Sequence, residues 1–262
     1  MSDRAVTRAF AAARASGRAA MIPYVTAGFP SAADTAALLA RLPAAGADLI
    51  EVGIPFSDPI ADGPTIQRST ERALEQGMTL RGALDLIRMA APAVPIVIMT
   101  YMNPVLAYGL ERFLGDAVRA GVAAVLCTDL PVGSAPEIER AIAASGLDLI
   151  RLVAPTTAAA RLAAAVANAT GFVYFISRLG VTGTRADAPP DLDRHVRRVR
   201  EATTLPVAVG FGISTPAQVA AASRCADGVV VGSAVVEALA AGGVAGAERL
   251  VRELAAAGAR TP

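Results

Sequence analysis

The feature that most limits what this chain can become is a repeat of pattern rather than of residues. Short β-rich runs recur at 20–26 (AMIPYVT), 47–53 (ADLIEVG), 95–101 (PIVIMTY), 122–128 (VAAVLCT), 147–153 (LDLIRLV), 172–177 (FVYFIS), 206–210 (PVAVG) and 227–231 (DGVVV). Alanine- and leucine-rich segments long enough for helices separate them. Helix starts are signalled by Ser31 with Asp34, which reads as a capping box, by Thr156 ahead of TAAARLAAAVA, and by Ser214 ahead of Thr215 and Pro216. Helix stops are signalled by Ala45-Gly46, Ala120-Gly121 and Ser145-Gly146, each just before a strand. Strands alternating with helices pair in parallel, and eight such units predict a closed (β/α)8 TIM barrel. A doubly wound open sheet is the alternative, but it normally carries a glycine-rich dinucleotide turn after an early strand, and no GxGxxG stands there. Ahead of the first strand, the spacing of Val6, Phe10 and Ala13 predicts an amphipathic helix. The expected architecture is one domain, residues 1–262: a single α/β barrel with an extra N-terminal helix.

Composition narrows the functions open to such a fold. Hydrophobic residues make up 54% of the 262, enough for a sizeable core, and the formal net charge is +1. That balance offers no basic face to nucleic acid. No apolar run reaches the ~18 residues that a membrane span needs. The start (MSDRAVTRAFAAARASGRAA) lacks the unbroken apolar stretch of a secretory signal and suits a helix better than a transit peptide. Cys127 and Cys225 stand far apart in no CxxC pattern, as in a reduced, cytoplasmic protein. All 24 basic residues are arginine. Without lysine, this chain can form no Schiff-base aldolase and attach no pyridoxal phosphate. His195, the one histidine, falls in DLDRHVRRVR, which reads as an exposed helix. With two separated cysteines besides, no metal site is expected. Carboxylates are left for acid–base work.

In a barrel, the site lies in the loops that follow the strands. The stretch EVGIPFSDPIADGP, 51–64, begins on the second strand and breaks into a stiff acidic loop. Alternation puts Leu49, Glu51 and Gly53 on one face and Ile50 and Val52 on the other. The β-branched pair suits the helix-facing side, so Glu51 points inward at the mouth, where its pKa is expected to rise. Position alone leaves it open whether Glu51 is functional or a structural partner of an arginine. Asp62 ahead of Gly63-Pro64 is, on spacing, better read as starting the helix TIQRSTERALEQ, and Asp58-Pro59 as ordinary turn chemistry. GFGIST at 210–215 and VVGSA at 230–234 follow the last two strands, where barrels frequently bind phosphate; Gly212, Gly232 and Ser233 would donate backbone N–H groups. LGVTG at 179–183 sits in a long loop that reads as a lid. Tyr24, Tyr101, Tyr174 and Phe211 fall at or just beyond strand ends and would suit a flat apolar ligand, with a core role the default for any one of them.

These residues resemble the tryptophan synthase alpha chain family over nearly the whole chain. The resemblance runs through PYVTAGFP (23–30), LIEVGIPFSDPIADGPTIQ (49–67), YMNP (101–104), FVYFISRLGVTG (172–183), VAVGFGIS (207–214) and VVVGSA (229–234). The second motif is highly specific; the glycine motifs are shared with other phosphate-binding barrels. The resemblance implies retro-aldol cleavage of indole-3-glycerol phosphate to indole and glyceraldehyde 3-phosphate. It matches Glu51 and Asp62 to the family's catalytic acids, and Gly183, Gly212, Gly232 and Ser233 to its phosphate loops. Tyr174 matches an active-site tyrosine and Thr182 a lid threonine. It departs at Tyr24, where phenylalanine is common, and at Phe29, where aspartate or tyrosine is common; both touch the pocket rim. It further implies a beta-chain partner in an assembly of two alpha and two beta chains, with Pro55, Phe56, Ser57 and Asp58 as interface candidates. Pyridoxal phosphate is expected only in that partner, and no cofactor in this chain.

Other readings compete. A sugar-phosphate isomerase usually wants a histidine or lysine beside its carboxylate, and a thiamine-phosphate synthase wants basic residues and magnesium ligands. A stand-alone indole-releasing lyase would share the chemistry without the partner. A non-catalytic partner subunit would have no need of both Glu51 and Asp62.

Overall fold

The computed structural model describes residues 4–176, 191–210 and 212–259. Among them the chain runs α1 (Ala5–Ala15), β1 (Ala20–Thr26), α2 (Ala32–Arg41), β2 (Ile50–Gly53), α3 (Pro64–Glu75), α4 (Leu80–Ala90), β3 (Ile96–Thr100), α5 (Met102–Tyr108), α6 (Leu110–Arg119), β4 (Val122–Cys127), α7 (Pro136–Ser145), β5 (Asp148–Leu149), β6 (Arg151–Val153), α8 (Ala159–Ala167), β7 (Val173–Ile176), α9 (Leu192–Ala202), β8 (Val207–Gly210), α10 (Pro216–Ser223), β9 (Gly228–Val231) and α11 (Ser233–Ala257). All strand pairs are parallel, in the order β5-β4-β3-β2-β1-β9-β8-β7-β6. The two end strands are halves of the one strand expected over 147–153. They part at Ile150, where the chain passes its ladder from β4 to β7, and the Ile150 N–H still donates to Val125 O at 2.9 Å. The sheet is thus the expected barrel, closed but for this step.

Side-chain alternation divides the strands into two apolar faces. Ala20, Ile22, Leu49, Val97, Ala124, Leu126, Ile150, Ala208 and Val230 fill the interior. Val25, Ile50, Val52, Ile98, Val125, Val173, Val209 and Val231 face outward and pack with helix residues such as Leu38, Leu84 and Leu239. The N-terminal end of the barrel is plugged by α1, whose buried face is Val6, Phe10 and Ala13, the residues its spacing predicts. Phe10 lies 5.3 Å from Phe172 ring to ring. It also fills the place of a side chain at Gly228, where an added Cβ would stand 2.9 Å from its ring. Arginines in or beside α1 bind acids just ahead of or at three strand starts: Arg4 to Asp148 at 2.8 Å, Arg14 to Asp227 at 3.1 Å, and Arg18 to Asp48.

Three local expectations shift. Ser31 does accept from the Asp34 N–H, but the Asp34 carboxylate binds the Ser31 hydroxyl rather than completing the box. The full box forms at Thr215 with Gln218, one residue after Ser214. Helix α8 starts behind Ala158, not Thr156, because the Thr157 hydroxyl turns back to the Ala154 N–H. His195 is half-buried rather than exposed: its ring stacks on Phe175, 6.0 Å between centroids. Among the described residues, no helix is long and apolar enough to cross a membrane. Truncating the plug, Phe10→Ala, should cost about 3–5 kcal/mol, read as a lower midpoint in urea unfolding. A midpoint within error of the parent would show that α1 does not hold the barrel shut.

Candidate active site

Glu51 sits near the C-terminal end of β2 and faces the barrel interior beside Leu49, while Ile50 and Val52 face the helices. Its Cα neighbours are Tyr24 on β1 and Val97 on β3. It is 2% exposed, and its Oε1 is buried with no hydrogen-bond partner among the described residues. Burial, and then the nearby charge of Asp62, push its carboxyl up to about 8.

Asp62 arrives from the loop after β2. The loop is stapled by its own backbone, Ile60 N–H to Asp58 O and Asp62 N–H to Pro59 O, and Gln67 Nε2 donates to Asp62 O at 2.8 Å. The helix-start reading of Asp62 does not hold. Gly63 occupies the N-cap of α3 with no side-chain cap, and Pro64, lacking an N–H, takes the first turn. The Asp62 carboxyl is instead 6% exposed and near enough to act on Glu51 and Tyr24. Burial raises it to about 6, and the Tyr101 hydroxyl draws it part of the way back.

Three tyrosines stand around the pair. Tyr101 accepts the Ala61 N–H at 3.0 Å, next to Asp62, and its ring packs on Phe56 at 5.2 Å. Tyr24 reaches along β2 so far that a Cβ on Gly53 would lie 2.0 Å from its hydroxyl; Tyr174 does the same over Gly210, at 2.2 Å. All three phenols are held above their ordinary range, chiefly by burial and then by the carboxylates.

At the opposite rim, Gly232 is the N-cap of α11 and Ser233 its exposed first residue. The Val235 and Val236 N–H groups turn back to Gly232 O, which leaves the Ser233 and Ala234 amides without an intrahelical acceptor. Gly232 also touches Tyr24, whose Cβ would lie 3.7 Å from an added Cβ. Gly212 is exposed with φ +85°, a conformation that suits glycine. Thr182, Gly183 and the rest of the LGVTG loop, and Phe211, lie outside the described residues.

Of the interface candidates, Ser57 and Asp58 are exposed, Phe56 is half-buried and Pro55 is buried. Phe56, Ser57 and Asp58 line a groove of about 590 Å³ between this loop and α3, beside Ile60, which is 81% exposed. Among the described residues, no cluster of three His, Cys, Asp or Glu side chains could hold a metal ion. Sequence reasoning passed over Thr26 and Ser69, buried and 2.7 Å apart beside Tyr24. The signal for Thr26 was present: it shares the inward face of β1 with Tyr24 by alternation.

Fold and site together define a parallel (β/α)8 barrel with an acidic, phenol-lined pocket at the C-terminal mouth of its strands. The family model described as tryptophan synthase alpha chain matches residues 10–260. The chain is 49% identical to the tryptophan synthase alpha chain of Acidiphilium cryptum over 240 residues, covering 90% of this chain and 87% of that one. It is 49% identical to that of Gluconacetobacter diazotrophicus over 257 residues, covering 95% and 94%. A structure of Mycobacterium tuberculosis tryptophan synthase superposes with a TM-score of 0.92 at 40% identity, covering 99% of this chain and all of that one. The chain belongs to the tryptophan synthase alpha chain family, carbon–carbon lyases that cleave indole-3-glycerol phosphate to indole and glyceraldehyde 3-phosphate.

The raised Glu51 carboxyl has a consequence for stability. Between its ordinary value of 4.5 and about 8, the folded chain holds a proton that the unfolded chain has lost. The stability this gives is complete below 4.5 and is lost as pH rises through about 8. Glu51→Gln removes the slope. The stability of the variant relative to wild type should therefore be greater at about pH 9 than at about pH 5, by on the order of a few kcal/mol in urea unfolding. Equal differences at both would refute a buried, unpaired acid.

Proposed function

We propose that Glu51 and Asp62 carry out the cleavage in two different protonation states. The observation behind this is the pair itself: two buried carboxyls near each other, one held at about 8 and the other at about 6. At neutral pH the first is mostly an acid and the second mostly an anion, and such a separation assigns acid and base roles. Glu51 protonates indole C3, and the C=N of the resulting indolenine becomes the electron sink. The bond from C3 to the glycerol chain breaks, its electrons restore the indole, and the Glu51 carboxylate takes the proton of the glycerol hydroxyl that becomes the carbonyl. Glu51 ends as it began, and neither lysine nor metal is required. Asp62 holds the ring N–H and favours the positive charge growing on that nitrogen. Gly212, Gly232 and Ser233, with Gly183, anchor the phosphate and so fix the reacting end. Tyr24, Tyr101, Tyr174, Phe211 and Thr182 enclose the ring.

The wider reading has the same status. The chain works as one domain, 1–262, in the cytoplasm, with no cofactor of its own. A tryptophan synthase beta chain docks on the loop bearing Pro55, Phe56, Ser57 and Asp58, in an assembly of two alpha and two beta chains. That partner carries pyridoxal phosphate and joins the released indole to serine, giving L-tryptophan. The groove beside Ile60 and the likeness to tryptophan synthase structures support this partnership.

The test is indole release from indole-3-glycerol phosphate, with and without a beta chain. Wild type should be slow alone and much faster with the partner. Glu51→Gln should lose ~10²–10⁴-fold, and Asp62→Asn roughly 10²-fold or more. A folded wild-type chain that releases no indole in either condition would reject the catalytic assignment and favour a non-catalytic partner subunit. Release that a beta chain neither binds nor accelerates would favour a stand-alone lyase.

A further inference from the structure

We infer that Thr26 and Ser69 are positioning residues for this reaction: they turn the Tyr24 hydroxyl so that it donates to Glu51 each time that carboxyl is ionised. The inference rests on the reading of Glu51 as the proton-transfer group. Tyr24 and Glu51 are Cα partners in the β1–β2 register, and both face inward. The phenol extends past Glu51 to lie over Gly53, with its ring packed against Ile66 of α3 and Val236 of α11.

Behind the hydroxyl runs a buried chain. Thr26 Oγ1 donates to the Tyr24 hydroxyl oxygen at 3.3 Å and meets Ser69 Oγ at 2.7 Å, and Ser69 donates to Ile66 O at 2.7 Å. Thr26 and Ser69 are each 1% exposed, so water does not compete for these protons. A hydroxyl has one proton to give. Thr26 spends its proton on Tyr24, so the phenol's own proton is directed elsewhere, into the pocket where Glu51 Oε1 has no partner among the described residues.

The surroundings leave Tyr24 little else to do. The titratable groups acting on the pair are Asp62 from the loop after β2, Tyr101 beyond β3 and Tyr174 on β7. Strands β3, β4, β8 and β9 turn Val97 and Met99, Leu126, Ala208 and Val230 toward the interior, none of which titrates. Burial and the charge of Asp62 hold Tyr24 well above the ordinary phenol range, so it serves as a donor and not as an acid. A hydrogen bond given to the charged form favours that form. Each turnover has Glu51 pass through its anion, and a donor poised there eases that passage.

The test reads Glu51 directly. Carbon-13 NMR of glutamate-labelled protein follows its carboxyl through a pH titration, the signal assigned by its loss in Glu51→Gln. Tyr24→Phe removes the donor, Thr26→Val keeps the phenol but frees its direction, and Thr26→Ser restores the hydroxyl. The first two should raise the Glu51 titration by roughly one unit, a tenfold gain in proton affinity, and Thr26→Ser should return it to the wild-type value. The alkaline limb of kcat against pH should move with it, with KM within about twofold. A merely structural Thr26–Ser69 link would lower stability and leave the titration in place. An unmoved titration in folded Tyr24→Phe and Thr26→Val overturns the inference, and if Thr26→Val does not fold, Tyr24→Phe decides. Titration shifts as expected, in a wild type that cleaves nothing, would sustain the geometry and overturn the lyase assignment alone.

Discussion

An acid inside a closed parallel barrel has no backbone to turn to, because the strand N–H groups are committed to the ladder. It must find a side-chain partner or stay neutral. The chain uses both solutions for buried carboxyls. Burial would raise Asp227, but the Val207 N–H, Arg200 and Arg14 outweigh it and bring the group below its ordinary range. Burial would raise Glu139, but the Gly133 N–H, Arg151 and Asn168 do the same. Both lie outside the barrel interior, where loops and helices supply donors. Glu51 lies inside, meets only the negative charge of Asp62, and goes the other way. One difference of placement decides which acids brace the fold and which can carry a proton.

The rest of the site follows from keeping Glu51 dry yet attended. A second carboxyl cannot come from a neighbouring strand without disturbing the apolar interior, so a loop brings it. That loop is stiffened by Pro55, Pro59 and Pro64 and by its own turn hydrogen bonds, and is tied down where Tyr101 takes the Ala61 N–H. Two tyrosines need room to reach over the pair, and the adjoining strands give it by ending in Gly53 and Gly210, where a methyl group would collide with the phenols. These glycines are set by close approach rather than by backbone conformation.

Much of this was legible in the sequence because it rests on period and punctuation. All the expected strand regions appear, and the inward placement of Glu51 follows from alternation with Ile50 and Val52. What was not legible depends on geometry between distant segments. The step at Ile150 arises because one strand serves two neighbours in turn, which its own residues do not record. Asp62 reads as a helix cap because aspartate usually is one; only the placement of Gly63 and Pro64 turns its carboxyl to the pocket. The chain from Ser69 to Tyr24 joins positions 43 residues apart at its Thr26–Ser69 contact, and no local pattern announces it.

The distribution of cations completes the logic. Arginine is the only strong base in the chain, and the buried or half-buried guanidiniums serve the strand starts and the helix layer, as with Arg4, Arg18 and Arg151. A cation beside Glu51 would stabilise its anion and lower its pKa, leaving an ionised group at neutral pH with no proton to offer. A phenol is the milder instrument: it can donate to the anion without bringing a net charge, and its own high pKa keeps it from competing for the proton. A mouth lined with tyrosine, threonine and serine, and cations kept to the other end and the outer layer, is therefore what a buried acid needs if it is to give up a proton and take it back in every cycle.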